Sequence, residues 1–367
     1  MDYVTLCNEV LVAINEVTLS TAGTDFSTAR GVQTTVKNAI NTAIRDIYAE
    51  ETEWPFAYTE KNQALTPETA EYALPTSYKS IDWDSFFLRP IEELSNTDFT
   101  SNITSWSDIS AGSGTSAYNA TGNGVARLTG DGTDIGGITQ AITTVAARQY
   151  RMLLRHTNNS VTVSVGTTSG GTEIKTATAS LDNAGEGELY DMTFEASGAT
   201  TYISLSTTSA TYVDVDFIRV NENIDSLQLE YVTFDAWRQQ YKWEDFKRAK
   251  DSKGKPRRVF ANHNDEFGLS PAPKQANWQV DYDYFTVPSD MSAYNGSHSI
   301  PTRFEQAIIA RATYYVLKLR SDPAFADRSN KEYKEIIRRM RTELINKPDY
   351  FRAATYVVNP RQRFRYP

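Results

Sequence analysis

The feature that most constrains this chain is a change of texture at Ser95. From there to Asn223 the sequence is dominated by Ser, Thr, Gly and Asn, and lysine falls to the single Lys175. On either side the chain is richer in charge and carries apolar residues at helical spacing. A stretch that turns every 8 to 12 residues or so cannot continue those helices. Residues 95–223 therefore read as a domain of their own. Within it Tyr150, Met152 and Leu154 interleave with Arg151 and Arg155. Val161, Val163 and Val165 interleave with Thr162 and Ser164, and Val213, Val215 and Phe217 with Asp214 and Asp216. Alternation of period two buries one face of each run. About eight such runs predict an all-β antiparallel sandwich of jelly-roll type.

The flanks predict helices. Tyr3, Leu6, Val10, Ile14 and Val17 share one face over residues 3–18, and Ala29, Val32, Val36, Ile40, Ala43 and Ile47 share one over 26–50. Trp54-Pro55-Phe56 stops the second helix, because proline cannot continue it. Short extended pieces follow near Tyr72–Leu74 and Ser80–Leu88. After Asn223 come a strand at Leu227–Tyr231 and a short helix at Asp235–Tyr241. Thr302-Arg303-Phe304-Glu305 reads as a capping box opening a helix to about Arg320, and Ser329-Asn330-Lys331-Glu332 as one opening a helix to about Asn346. The fold class is α+β. A discontinuous domain, residues 1–94 and 224–367, builds antiparallel helices and a small sheet and carries the sandwich as an insertion, an arrangement possible because domain termini commonly lie close together.

Composition narrows the function. Thirty-seven basic against 46 acidic residues leave a net charge of −9, which argues against a general nucleic-acid-binding surface but not against an acidic passage for DNA. No apolar run reaches the ~18 residues of a membrane span. The opening residues lack a secretory signal, so export by the general route is not expected. Cys7, the only cysteine, sits on an apolar helical stripe and reads as a packing thiol; it excludes an internal disulfide.

Sites of chemistry are few. There is no phosphate loop, and Gly122-Asn123-Gly124 reads as a turn. His156, His263 and His298 are scattered without zinc-binding spacing. No cofactor or metal is implied. Asp214 with Asp216, and Glu186 with Glu188, stand two apart on strands, where a solvated sheet face explains them better than glycosidase chemistry. Asp131 and Asp134 fit either a plain loop or calcium ligands. Trp106, and Tyr118 in the following loop, fit either packing or stacking on a sugar ring.

From Arg328 to Pro367 there are eleven Lys and Arg against four Asp and Glu. Part of that excess lies on the last helix. The terminal Asn359-Pro360-Arg361-Gln362-Arg363-Phe364-Arg365-Tyr366-Pro367 alternates arginines with other residues and has too little apolar content to fold alone, so it reads as a docking segment or a frayed end.

Several stretches carry a family texture: AINTAIRDIYAEETEW (39–54), LPTSYKSIDWDSFFL (74–88), LEYVTFDAWRQQY (229–241), GKPRRVF (254–260) and IPTRFEQAIIARA (300–312). Over residues 1–94 and 224–367 the chain resembles the head-to-tail adaptor proteins of tailed phages, including the tail tubular proteins of short-tailed ones. The insert, from DFTSNITSW (98–106) through GITQ and YRML to YVDVDFI (212–218), resembles a carbohydrate-binding jelly roll. The resemblance implies a non-enzymatic virion protein assembled in the host cytoplasm. It implies a ring, commonly of twelve copies, between the portal protein and the tail nozzle, through which double-stranded DNA passes without sequence recognition. Residues 348–367 would form an arm docking onto the portal through Arg361, Arg363, Phe364, Arg365 and Tyr366. The insert would project outward toward tail fibres or tailspikes, capsid or glycan, with Trp106 and Tyr118 as its candidate contact residues. A polysaccharide-binding protein is the alternative.

Overall fold

The computed structural model describes residues 1–21, 23–120, 124–181, 189–242 and 253–345. The helices come from both ends of the chain. Helix α1 (Tyr3–Ala13) starts where Asp2 accepts a hydrogen bond from the Thr5 N–H at 2.9 Å. Helix α2 (Val32–Glu50) buries Val36, Ile40, Ala43 and Ile47 along one stripe. It begins later than the spacing predicted because Gly31, at φ +57°, breaks the helical path before it. Val17, expected on the stripe of α1, lies beyond that helix and is 77% exposed. In the connection, Asn8 bonds both the N–H and the C=O of Leu19 through its side-chain amide.

Small strands follow: β1 (Tyr58–Ala64), β2 (Glu71–Ala73), β3 (Tyr78–Ile81) and β4 (Phe87–Pro90). Ten strands then make the sandwich: β5 (Ser107–Asp108), β6 (Thr115–Asn119), β7 (Val125–Thr129), β8 (Gly136–Thr143), β9 (Gln149–Thr157), β10 (Val161–Gly166), β11 (Lys175–Ala179), β12 (Tyr190–Glu195), β13 (Thr200–Thr207) and β14 (Val213–Glu222). They form two five-stranded antiparallel sheets, in the orders β11-β10-β13-β8-β5 and β12-β9-β14-β7-β6. Between the sheets pack Tyr150, Met152, Leu154, Val161, Val163, Val165, Val213, Val215, Ile218 and Val220.

Phe217 departs from the expected alternation. A bulge between Val215 and Phe217 leaves Asp216 as an extra residue on β14, so Ile218 and not Phe217 enters the core. Phe217 is left half-buried, with the Arg219 guanidinium 5.6 Å from its ring centre.

Strands β15 (Leu227–Gln228) and β16 (Glu230–Tyr231) divide the expected Leu227–Tyr231 strand between two sheets. Helix α3 (Phe234–Gln240) and strands β17 (Arg258–Ala261), β18 (Glu266–Ser270) and β19 (Trp278–Thr286) complete the sheet region. One sheet runs β1-β19-β4-β15 with β3 also on β19; the other runs β16-β17-β18-β2. Leu227 pairs with Leu88, so the chain leaves a sheet at β4 and rejoins it at β15 with the sandwich in between. Phe86 stacks on Tyr282 at the centre of these two sheets, and Phe267 meets both rings edge-on.

Helices α4 (Glu305–Leu319) and α5 (Pro323–Leu344) close the helical core against α2. Neither starts as a capping box. Thr302–Phe304 form a 3₁₀ turn from Pro301, and Glu305 is buried 3.4 Å from His298 instead of reaching back to Thr302. Helix α5 is capped by Asp322 and starts at Pro323, so its cap lies seven residues before the expected Ser329, with proline at the position where its missing N–H costs nothing. Arg311 of α4 donates to Asp46 of α2 at 2.6 Å and to Asn330 of α5 at 3.0 Å, with Tyr314, Tyr315 and Tyr333 around its guanidinium. This one side chain ties three helices together.

Candidate functional site

The residues singled out on the sandwich do not converge. Trp106 is buried at 7% exposure; its indole N–H donates to the Asn96 carbonyl at 3.2 Å and its ring packs 5.8 Å from Phe99. In this position the ring belongs to the sandwich core. Tyr118 lies on strand β6 and not in a loop. It stands opposite the fully buried Ala126, which turns it toward the inner side, and its hydroxyl donates to the Thr100 carbonyl at 3.1 Å. Its ring is half-buried at the sheet edge. The two aromatics form no joint platform.

The carboxylates are likewise spent on structure. Asp214, 5% exposed, accepts a bidentate pair of bonds from Arg127 at 2.7 and 2.8 Å and a third from Asn158 at 3.0 Å, while Tyr212 stacks 3.7 Å from the Arg127 guanidinium. Asp216 faces Arg155 at 3.5 Å, and burial raises its carboxyl above the usual range. Arg151 and Asp191 continue this ladder of ion pairs on the outer face. An acid and a base held by separate arginines are not free to share a substrate. Asp131 accepts from the N–H groups of Thr133 and Asp134 and from the Ser113 hydroxyl, and these bonds hold its carboxyl down at about 2. It organises a turn. Among the described residues no group of three His, Cys, Asp or Glu side chains is arranged to hold a metal ion, and no helix is long and apolar enough to cross a membrane. His156 is buried with Nδ1 2.8 Å from the Asn159 carbonyl, and Cys7 is buried in the helical core, its thiol pushed up to about 12. Glu186, Glu188, Gly122, Asn123 and the arm residues Arg361, Arg363, Phe364, Arg365 and Tyr366 lie outside the described residues.

The structure instead brings together a polar neck where the sandwich joins the rest of the chain. Incoming residues 91–94 run antiparallel to outgoing residues 218–223. The Glu93 N–H donates to the Val220 carbonyl at 2.9 Å, and the Glu92 carboxylate accepts from the N–H groups of Val220 at 2.8 Å and Leu94 at 3.2 Å. Glu222 takes Arg148 at 2.9 Å and the side-chain amide of Asn277. Burial, with Glu92 and Glu222 as neighbours, raises the Glu93 carboxyl to about 7. Beside the neck lies a cleft of about 620 Å³ lined by Arg89, Arg151, Arg219, Asp98 and Asp225 among others. No sequence signal marked this cluster, because Glu92 and Glu222 are joined only by the fold.

The geometry is thus that of a β domain whose two connections are hydrogen-bonded to each other and to the rest of the chain. The sequence profile described as SU10 adaptor protein matches residues 122–357, 236 of the chain's 367 residues. The chain belongs to the SU10 adaptor family. It is therefore a phage structural adaptor. The match takes in most of the sandwich of this SU10 adaptor and the chain after it as far as residue 357, whereas the sequence resemblance rests on the flanks. No curated protein matches the chain. Similar solved structures include the enzymatically active domain of tailspike protein 4 of Bacteriophage CBA120, at 12% identity and TM-score 0.31, covering 36% of this chain and 21% of that one. They also include the module TmCBM61, solved in complex with beta-1,4-galactotriose, at 11% identity and TM-score 0.29, covering 36% and 99%. A CBM4 structure stands at 16% identity and TM-score 0.29, covering 35% and 99%. The SU10 adaptor thus spans about a fifth of the length of the tailspike domain it matches.

Proposed function

We propose that this adaptor forms a ring at the head-to-tail junction of a tailed phage virion, between the portal protein and the tail nozzle, and that genomic DNA passes through it without sequence recognition. The observation that carries the reading is the adaptor-family match over residues 122–357. The acidic net charge supports the DNA passage, since a polyanion slides past an acidic lumen without sticking. The division into residues 1–94 with 224–367 and an inserted 95–223 is part of the same proposal, supported by the pairing of β4 with β15. In it the helical part builds a ring of twelve copies, and the sandwich projects outward to meet fibres, capsid or glycan. Residues 348–367 reach the portal, with Phe364 and Tyr366 as anchors and Arg361, Arg363 and Arg365 speeding encounter. The role is structural and non-enzymatic.

The test is electron microscopy of the purified protein with and without purified portal. Closed rings stacked coaxially on portal, lost when residues 359–367 are deleted, are the expected result. Protein that stays monomeric and fails to attach to portal at physiological salt overturns the reading.

A further inference from the structure

Strand β1 is an open edge. Its register with β19, and the Leu65 N–H on the Trp278 carbonyl at 2.9 Å, turn the backbone groups of Thr59, Lys61 and Gln63 inward to β19 and those of Glu60 and Asn62 outward. Among the described residues none bonds to the outward groups, and Glu60, Lys61 and Asn62 are all exposed. An edge of seven residues without proline is a template for another strand. Its side chains say which kind. Glu60 stands directly opposite Asp283 on the solvent face, and like charges so placed destabilise a sheet. Asp281, next on that face, is paired with Arg89. Among the described residues no Lys or Arg pairs with Glu60 or Asp283; both turn to the Tyr58 phenol, a single donor between two acceptors. Tyr58 lies exposed two residues along the same face.

We propose that β1 is the docking edge for an extended segment of a partner protein carrying Lys or Arg at alternate positions, which joins the sheet beside β1 and sets its cations against Glu60 and the Tyr58 ring. Alternate side chains of a strand share a face, so basic residues two apart on the incoming strand both meet the acidic side of the sheet. One cation opposite Glu60 relieves its repulsion with Asp283, and the next lies over the exposed face of Tyr58, which attracts it. The outward N–H and C=O groups of Glu60 and Asn62 supply the ladder, and the charges supply the choice of partner. A second copy of this chain does not meet that description. Antiparallel pairing of β1 on β1 sets Lys61 opposite Lys61 in the full-length register, and a slide of two residues sets Glu60 opposite Glu60. The other described edge strands carry at most one basic residue each: β3 has Lys79 and β11 has Lys175, while β12 has Asp191 and Glu195. The occupant is therefore a different chain.

The test is amide hydrogen exchange on the full chain, with short synthetic peptides as probes. A peptide alternating lysine with threonine is expected at saturation to slow exchange of the Glu60 and Asn62 amides at least about tenfold. One alternating glutamate with threonine should give no protection. The double variant Glu60→Gln with Asp283→Asn breaks no ion pair among the described residues and leaves the edge in place; it should raise the dissociation constant of the lysine peptide about fivefold. Unchanged affinity overturns the proposal. So does equal protection by the lysine peptide with its backbone N-methylated, which keeps the charges but cannot donate to a ladder. Slow exchange of Glu60 and Asn62 in the protein alone overturns it as well, because this chain or a second copy then holds the edge. Portal is absent throughout, so failure here leaves portal attachment standing, and failed attachment leaves this result standing.

Discussion

Asp214 is the residue on which a structural and a catalytic reading of the sandwich part most sharply. Replacing it with Asn keeps its size and removes its charge. Arg127, whose side chain is 31% exposed, then loses its bidentate partner while still held beneath Tyr212. Breaking a buried ion pair from one side costs about 3–5 kcal/mol because the other charge is stranded. Partial access of Arg127 to water lowers that to about 2–3 kcal/mol. Asp191→Asn, in the Arg151 pair on the same sheet, is the control: both partners are about half exposed, and such pairs contribute about 0–1 kcal/mol. The assay is native-state hydrogen exchange of β9 and β14 in the full chain, read as opening free energies. Equal destabilisation by the two variants, or none by Asp214→Asn, refutes the argument. Release of reducing sugar from host polysaccharide that disappears with Asp214→Asn would make the residue catalytic.

The neck should respond to pH through Glu93. Its folded pKa, about 7, is raised above the unfolded value, so the neck is most stable below about pH 4.5 and loses stability as pH rises to about 7; Glu93→Gln should flatten that dependence and add about 1–3 kcal/mol at pH 8, measured by exchange of the Leu94 and Val220 amides. Replacing residues 95–223 with a short Gly-Ser linker should leave a folded helical protein by circular dichroism, since β4 and β15 pair directly; insolubility across several linker lengths would count against those boundaries. Trp106→Ala should destabilise the sandwich by about 3–5 kcal/mol, and half-buried Tyr118→Ala by less, in chemical denaturation; a Trp106 variant of unchanged stability but altered glycan retention would restore the sugar-stacking reading.

How much of this was legible depends on which faces each element buries. The sandwich strands could be read because each hides one face, giving alternation in β9, β10 and β14. What failed there was Phe217, since a one-residue bulge leaves no mark in composition. Strand β19 carried the same signal, buried Trp278, Val280, Tyr282 and Tyr284 against Gln279, Asp281 and Asp283, but was not predicted. Strand β1 could not be read at all: none of its seven residues is fully buried, and the side facing the core carries Thr59, Lys61 and Gln63, so no apolar alternation is left to show. The start of α5 was misplaced because Ser329 to Glu332 imitates a capping box inside a helix whose real cap, Asp322, lies about two turns earlier. Of the candidate site, residue types were visible but partners were not. Nothing local distinguishes a carboxylate held by Arg127 from one free to act.

The neck decides what kind of carrier this adaptor can be. A domain on flexible linkers samples many directions and engages partners with an effective concentration set by linker length. Here the two connections bond to each other through Glu92, Glu93 and Val220, and to the rest of the chain through Glu222 with Asn277 and through the Ile91 N–H on the Asn277 carbonyl at 3.0 Å. Residues on both connections and on the loop before β19 are thus tied at one point, which leaves little room for the sandwich to swing without breaking several bonds together. If copies assemble as a ring, their sandwiches are then held at fixed spacing and inclination. A partner with matching repeats gains avidity from that arrangement, and one without them is excluded even when each single contact is weak. Specificity of attachment would then reside in the neck as much as in the outer surface of the sandwich.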